Sequence, residues 1–166
     1  VTFAFWQKTK RINHDISFWA YSHSSGHNGR GALAHTPWNN GELFWVTSGC
    51  CHDKTRISKY YSNNIEDWDK WNHFAYVKEG DMKRIYINGK LFHAGLNTEP
   101  LKQDFDFLNI MAEGVEGSGS PHAQMDDFAI FASALDEEQL SHLMTGKLLG
   151  AKETPSLIVT QAADIT

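Results

Sequence analysis

Short apolar and aromatic runs alternate along the chain with clusters of Gly, Asn, Ser and Asp, which is the pattern of many brief antiparallel strands joined by turns. The pattern predicts strands over Thr2–Lys8, Asp15–Ser22, Arg30–Trp38, Glu42–Thr47, Arg56–Tyr61, Trp71–Glu79, Lys83–Ile87, Lys90–Gly95, Asp106–Ala112 and Gln124–Ala132. Strands in such number, in a chain this short, imply an all-β sandwich or barrel.

Local signals fix some of the connections. In Arg84-Ile85-Tyr86-Ile87-Asn88-Gly89-Lys90-Leu91-Phe92, Asn-Gly stands between two alternating runs and supplies the positive φ values of a type I′ hairpin turn. Lys78-Glu79-Gly80-Asp81 predicts a second turn, so Trp71 to Gly95 reads as a three-stranded meander. Helical spacing is convincing once: Asp136 is a candidate N-cap with Gln139 three residues on, Leu140, Leu143 and Met144 share a face, and Gly146 is a natural stop. Residues 1–150 therefore read as one domain, and 151–166 as a linker or an extra strand, with Ser156–Thr160 β-prone.

Charge and composition narrow the function classes. Fifteen Lys and Arg against twenty Asp and Glu leave a net charge of −5, and the longest basic cluster is Lys8-Thr9-Lys10-Arg11. Phosphate-backbone recognition needs more cation than that, so nucleic acid is not an expected partner. No apolar run approaches the ~18 residues of a membrane span, and membrane insertion is not expected. Aromatic residues make up 13% of the chain, which suits both pleated-sheet packing and sugar-stacking surfaces. The chain starts at Val1, already inside a strand, and reads as a piece of a longer protein whose other domains are candidate partners.

Three segments, in order, resemble the laminin G-like, concanavalin A-like jelly-roll domains. Trp71-Asn72-His73-Phe74-Ala75 resembles their Trp-x-His-hydrophobic-Ala strand, and Ile85-Tyr86-Ile87-Asn88-Gly89 their hairpin. Met125-Asp126-Asp127-Phe128-Ala129-Ile130-Phe131 followed by Ala134-Leu135-Asp136-Glu137-Glu138-Gln139-Leu140 is similar to their closing strand and helix. Val1–Thr9 is similar to their early strand, so the likeness covers about Val1–Lys147. It implies a two-sheet antiparallel jelly roll with one short C-terminal helix, and a setting outside the cell or on its surface. The stretch Phe18–Tyr61 departs from the generic pattern, and one strand usual before Val1 is absent. Recognition specific to this chain is therefore expected in that middle stretch.

The same fold serves binders and enzymes, so chemistry has to be weighed separately. A retaining glycosidase needs carboxylates about 5 Å apart, and the closest groupings are Glu66-Asp67-Trp68-Asp69, Asp104-Phe105-Asp106 and Glu113-Gly114-Val115-Glu116. No Glu-x-Asp-x-(x)-Glu run is present, and Asp104 and Asp106, which share a strand face, read as solvent-facing at a strand entry, so the expectation is a non-enzyme. Cys50 and Cys51 are adjacent and lack metal-chelating spacing; they form a vicinal disulfide in an oxidising compartment or stand as thiols in a reducing one, and the resemblance to exported domains favours the disulfide. His23 and His27 sit in a Gly- and Ser-rich loop and read as solvated. The resemblance also implies a structural Ca²⁺ at Asp126, where relatives use the aspartate of the closing strand.

Trp6, Phe44, Trp71, Phe74 and Phe128 lie in apolar strand patterns and read as core, whereas Trp38, Trp45, Tyr60, Tyr61 and Trp68 are candidates for a stacking platform. Trp38 stands out because it lies between Pro37 and Asn39-Asn40-Gly41, a turn where a large apolar side chain is hard to bury. His35, Asn39, Asn40, His52, Asp53, Arg56 and Tyr60 supply the donors and acceptors that a hydroxyl-rich ligand requires. The reading is a non-catalytic module that binds a polysaccharide or glycoconjugate. A protein–protein interaction domain and a polysaccharide-cleaving enzyme are the alternatives.

Overall fold

The computed structural model describes residues 1–14, 16–22, 30–49, 52–102, 105–112, 122–146 and 157–159. In chain order the elements are β1 (Thr2–Thr9), β2 (Ile16–Tyr21), β3 (Arg30–His35), β4 (Glu42–Thr47), β5 (Arg56–Tyr60), α1 (Ile65–Trp68), β6 (Asn72–Glu79), β7 (Met82–Ile87), β8 (Lys90–Leu96), β9 (Phe107–Ile110), β10 (Ala123–Phe131), α2 (Glu137–Met144) and β11 (Leu157–Val159). Two antiparallel sheets face each other. Sheet A has the order β11-β10-β1-β6-β7-β8 and sheet B the order β5-β4-β3-β2-β9.

Each strand expected from the pattern is present, with small changes at its ends. β3 stops at His35, short of Trp38, because Pro37 has no N–H to extend a ladder and the chain turns there. The single-turn helix α1 carries no apolar period and was not foreshadowed; Asn64 caps it, its side chain accepting the Glu66 N–H at 3.2 Å. Residues 157–159 pair along the free edge of β10.

The inter-sheet core is aromatic on one side and small on the other. Phe3, Phe5, Phe74, Tyr76 and Phe128 from sheet A meet Phe18 and Trp45 from sheet B, while Ala20, Ala32 and Ala34 leave room between them. Phe18 lies parallel to Phe3 at 4.5 Å and touches Trp45, Tyr76 and Phe128 at 5.9 Å each. Trp45 and Trp68 are fully buried, so neither belongs to a stacking platform. Trp71 departs in the other direction: it precedes β6 and is 46% exposed rather than core. Trp6 is half-buried on the outer face of sheet A, edge-on to His73 at 5.3 Å.

A row of alanines prepares the outer face of sheet A for α2. Ala129, Ala4 and Ala75 are cross-strand neighbours on β10, β1 and β6, and Tyr86 continues the row on β7. The flat strip lets Leu140 of α2 bury completely with Leu135. The helix begins where expected, with Asp136 and Gln139 forming a reciprocal capping box, and Gly146 follows its end at φ +67°.

The Asn88-Gly89 turn has φ +49° and +75°, the left-handed geometry of a type I′ hairpin. Asn88 also reaches back: its Oδ1 accepts the His73 N–H at 2.9 Å and its Nδ2 donates to Asn72 Oδ1 at 3.0 Å. The turn thereby fixes the start of β6 as well as the β7–β8 register. Asn88→Ala and Gly89→Val are expected to destabilise the domain by about 1 kcal/mol or more each, read as a lowered denaturant midpoint. Unchanged midpoints for both would contradict this role.

Lys78 and Lys83 stand directly opposite each other on β6 and β7 and are both buried. Carbonyls take the place of counter-ions. Lys83 Nζ donates to Trp45 O at 3.1 Å and Thr55 O at 2.8 Å and lies 5.1 Å from the Trp45 ring centre, while Lys78 Nζ donates to Gly80 O and Asn97 O. Burial, with Lys78 beside it, pushes Lys83 down to about 6. The unfolded chain, where a lysine titrates near 10.5, therefore binds more protons between those two values, so Lys83 makes folding more favourable as pH rises from about 6 toward 10. Denaturant titrations across that range should show stability climbing in the wild type and a flatter dependence in Lys83→Met. Equal slopes would contradict the assignment.

Candidate functional site

Because Phe18 and Trp45 point inward, the period of two along a strand sends their neighbours out of the sandwich. The outer face of sheet B consequently carries Trp19 and Tyr21 from β2, Leu33 and His35 from β3, and Phe44 and Val46 from β4, and a register shift between Ile16 and Phe18 turns Ile16 onto it as well. Cross-strand register sets them in rows: Ile16, His35, Phe44 and Ser58 in one, Trp19, Leu33, Val46 and Arg56 in the next.

Trp38 packs on the end of this face and stays half-buried. Its turn is tight, with the Trp38 N–H donating to Glu42 O at 2.8 Å and the Gly41 N–H to Trp38 O at 2.9 Å. Gly41 has φ +81°, and a Cβ there would lie 1.9 Å from Ser62 O; Tyr61 N–H in turn donates to Gly41 O at 3.0 Å. The turn is thus clamped to the segment after β5, and the indole has a fixed orientation. Its ring lies 4.0 Å from His14, 4.6 Å from His35 and 5.5 Å from Phe44, centre to centre. The Arg56 guanidinium sits 4.8 Å above the Phe44 ring, extending the surface from apolar to cationic. Further along the same face, Tyr21 stacks on Phe107 at 5.3 Å, and a Cβ on Gly31 would meet Phe105 at 2.9 Å.

The candidate residues named from the sequence divide between the two ends of the sandwich. Trp38, His35 and Arg56 are brought together through Phe44. Asn39 and Asn40 stand exposed on the Trp38 turn, where Asn40 Oδ1 accepts the Glu42 N–H at 3.1 Å and its Nδ2 donates to Glu42 Oε2 at 3.2 Å. Tyr60 pairs opposite Glu42 at the same end, is 52% exposed, and accepts the Asn63 N–H on its hydroxyl. His52 and Asp53 do not join them. They lie in the β4–β5 connection, beyond the far end of a six-residue strand that runs away from Trp38 for roughly 17–20 Å. The rim expected from sequence proximity is therefore split by the length of β4.

His14 and Phe44 are site residues that the sequence did not reveal. His14 sits in the irregular β1–β2 connection, whose path no periodicity traces, and Phe44 was grouped with the inter-sheet core whereas its ring lines the outer face.

Other candidates fall elsewhere. Asp67 accepts the Ser62 hydroxyl at 2.6 Å and Asp69 pairs with Lys8 at 3.3 Å, so the carboxylates around α1 hold local structure. Cys50, Cys51, His23, His27, Asp104, Glu113 and Glu116 lie outside the described residues. Asp126 is exposed on β10 and its Oδ1 accepts the Asp127 N–H at 2.8 Å. Among the described residues no three His, Cys, Asp or Glu side chains gather as metal ligands.

What the Trp38 face can do chemically is hold a ligand with both a flat apolar side and polar edges. The indole offers the apolar side, while imidazole, guanidinium and amide groups offer hydrogen bonds. Gly41→Ala is expected to displace this turn, lowering the thermal midpoint and shifting tryptophan emission to longer wavelength as Trp38 loosens. Wild-type melting and emission would show that the clamp on Ser62 is not needed.

Residues 1–141 match a laminin G family model described as the concanavalin A-like lectin/glucanases superfamily. No curated protein matches the chain. Among solved structures, a Bacteroides ovatus protein described as carbohydrate binding is similar with a TM-score of 0.63 at 15% identity, covering 96% of this chain and 44% of its own. The botulinum neurotoxin serotype D binding domain is similar with a TM-score of 0.59 at 18% identity, over 89% of this chain and 37% of its own. A structure of botulinum neurotoxin type C, whose cell entry depends on interaction with two ganglioside molecules, gives 0.57 at 19% identity, over 89% and 36%. At these identities the likeness is one of fold, and the chain spans less than half the length of each.

Proposed function

The chain belongs to the concanavalin A-like lectin/glucanase superfamily, and we propose that it is a non-catalytic glycan-binding module, working outside the cell or on its surface as part of a larger protein. The observation that carries this reading is the half-buried Trp38, oriented by a clamped turn and bordered by His14, His35 and Phe44, with Arg56 beyond. A sugar ring laid on the indole would place its hydroxyls against the exposed His14 imidazole and the amides of Asn39 and Asn40, with the buried His35 backing the indole. Each such hydrogen bond adds only ~1 kcal/mol net, so binding is weak per residue and depends on several contacts at once. Similar folds in a carbohydrate-binding protein and in toxin binding domains support a recognition role over a catalytic one.

Trp38→Ala is the direct test. Retention on a glycan that binds the wild type should be lost, while stability falls by less than the ~3–5 kcal/mol typical of a fully buried Trp, because part of the indole faces solvent. Retention that persists in a folded Trp38→Ala protein would move the site elsewhere. Release of reducing ends from any bound polysaccharide would replace the binding module with an enzyme.

A further inference from the structure

The end of the sandwich that carries Trp38 also carries two basic side chains, Lys10 and Arg11, beside His122. The β1–β10 ladder continues one residue past β1, with the Lys10 N–H donating to His122 O at 2.9 Å, so these two positions are held by the backbone across two strands. Lys10, Arg11 and His122, with Ala123 and Gln124, line an open cleft of about 430 Å³. No ion pair engages Lys10 or Arg11 among the described residues, whereas Lys8, two positions earlier, is paired with Asp69. Lys10 and Arg11, without ion pairs among the described residues, stand out in a chain of net charge −5.

The cleft and the indole are tied into one rigid unit. Gln7, buried near the end of β1, donates from Nε2 to Thr9 Oγ1 and to the carbonyl of Thr36, two residues before Trp38, and its Oε1 accepts the Ser17 hydroxyl at 2.7 Å. Thr36 is held again by Tyr76, the two hydroxyls sharing a hydrogen bond at 2.6 Å. Covalent reach agrees: Arg11 and His14 are three residues apart, at most about 11 Å between Cα atoms, and the His14 ring touches Trp38. A ligand a few sugar rings long spans that distance.

We infer that the glycan recognised at Trp38 is acidic, with a carboxylate or sulfate substituent seated on Lys10 and Arg11 beside His122 while a neighbouring ring lies on the indole. This rests on the glycan-binding reading and adds a ligand class to it. The guanidinium suits either anion because its donors form a planar fork, and Lys10 adds a compact charge.

The test is a glycan array that prints uronate-, sialate- and sulfate-bearing glycans beside their neutral counterparts, probed with wild type, K10Q/R11Q, Trp38→Ala and Trp38→Phe. Acidic glycans should bind at least tenfold more strongly than the neutral ones, with the uronate and sulfate arms separating the two anions. K10Q/R11Q should lose that preference at unchanged melting temperature, because both side chains are exposed. Trp38→Ala should lose binding to the same spots, and Trp38→Phe should recover part of it. Equal binding to neutral glycans with no effect of K10Q/R11Q would overturn the acidic class and leave the glycan module standing. Binding lost in K10Q/R11Q but intact in both Trp38 variants would be general polyanion adhesion and overturn the joint site. Absence of binding to every glycan would remove the module reading and the inference together.

Discussion

Phe18 lies flat on Phe3 across the gap between the sheets, and much of what the protein presents to its surroundings follows from that contact. One large ring from β2 fits because the neighbouring inward positions of sheet B are alanines, at 20, 32 and 34. With Phe18 and Trp45 committed to the interior, the strand period leaves Trp19, Tyr21, Phe44 and Val46 on the outside of sheet B. A slip of one residue in β2 or β4 would exchange these sets and put the platform in the core. The outer aromatic face is thus a consequence of inner packing, and Trp38 is its visible edge.

Buried polar groups secure the two ends of the sandwich in different ways. At the Trp38 end, Gln7 links β1, β2 and the segment leading into the Trp38 turn through neutral hydrogen bonds. At the other end, two opposed lysines donate to main-chain carbonyls of β4, the β4–β5 connection and the segment after β8. The Gln7 network is built from neutral groups, whereas the buried lysines make the second end respond to pH. His73, buried on the outer face of sheet A and held down to about 4 by burial, is a further acid-sensitive point: its folded state resists the proton that the unfolded chain accepts, so stability falls as pH drops from about 6.5 toward 4.

Much of this architecture is legible in the sequence because turn and cap chemistry is local. Asn88-Gly89, Gly80, the Asp136 and Gln139 box and Gly146 mark their connections without any knowledge of the tertiary structure. The face of a strand is harder to read when both sides are covered. In Leu43-Phe44-Trp45-Val46 each residue is apolar, so no polar alternation says that Phe44 points out and Trp45 in. Trp68 misleads for another reason, since Glu66, Asp67 and Asp69 around it read as surface, while Trp71 stands one residue before β6 and so reads as part of that strand. The candidate site is half visible: a Trp set in a turn between Pro37 and Asn39 is a local fact, but its partners are not. His14 arrives from an irregular connection, and His52 with Asp53, though near in sequence, are carried off by the length of β4.

The central claim is that ligand meets the chain at the Trp38 face. Its most direct test is an NMR titration of the ¹⁵N-labelled chain with a glycan retained by the wild type, following the indole Nε1–H signals of its six tryptophans. Binding at this face should move the Trp38 indole most, with amides of residues 10–14 and 38–41 moving with it and the buried Trp45 and Trp68 indoles staying in place. An unmoved Trp38, with shifts gathered at the exposed Trp71 or along β8, would contradict it.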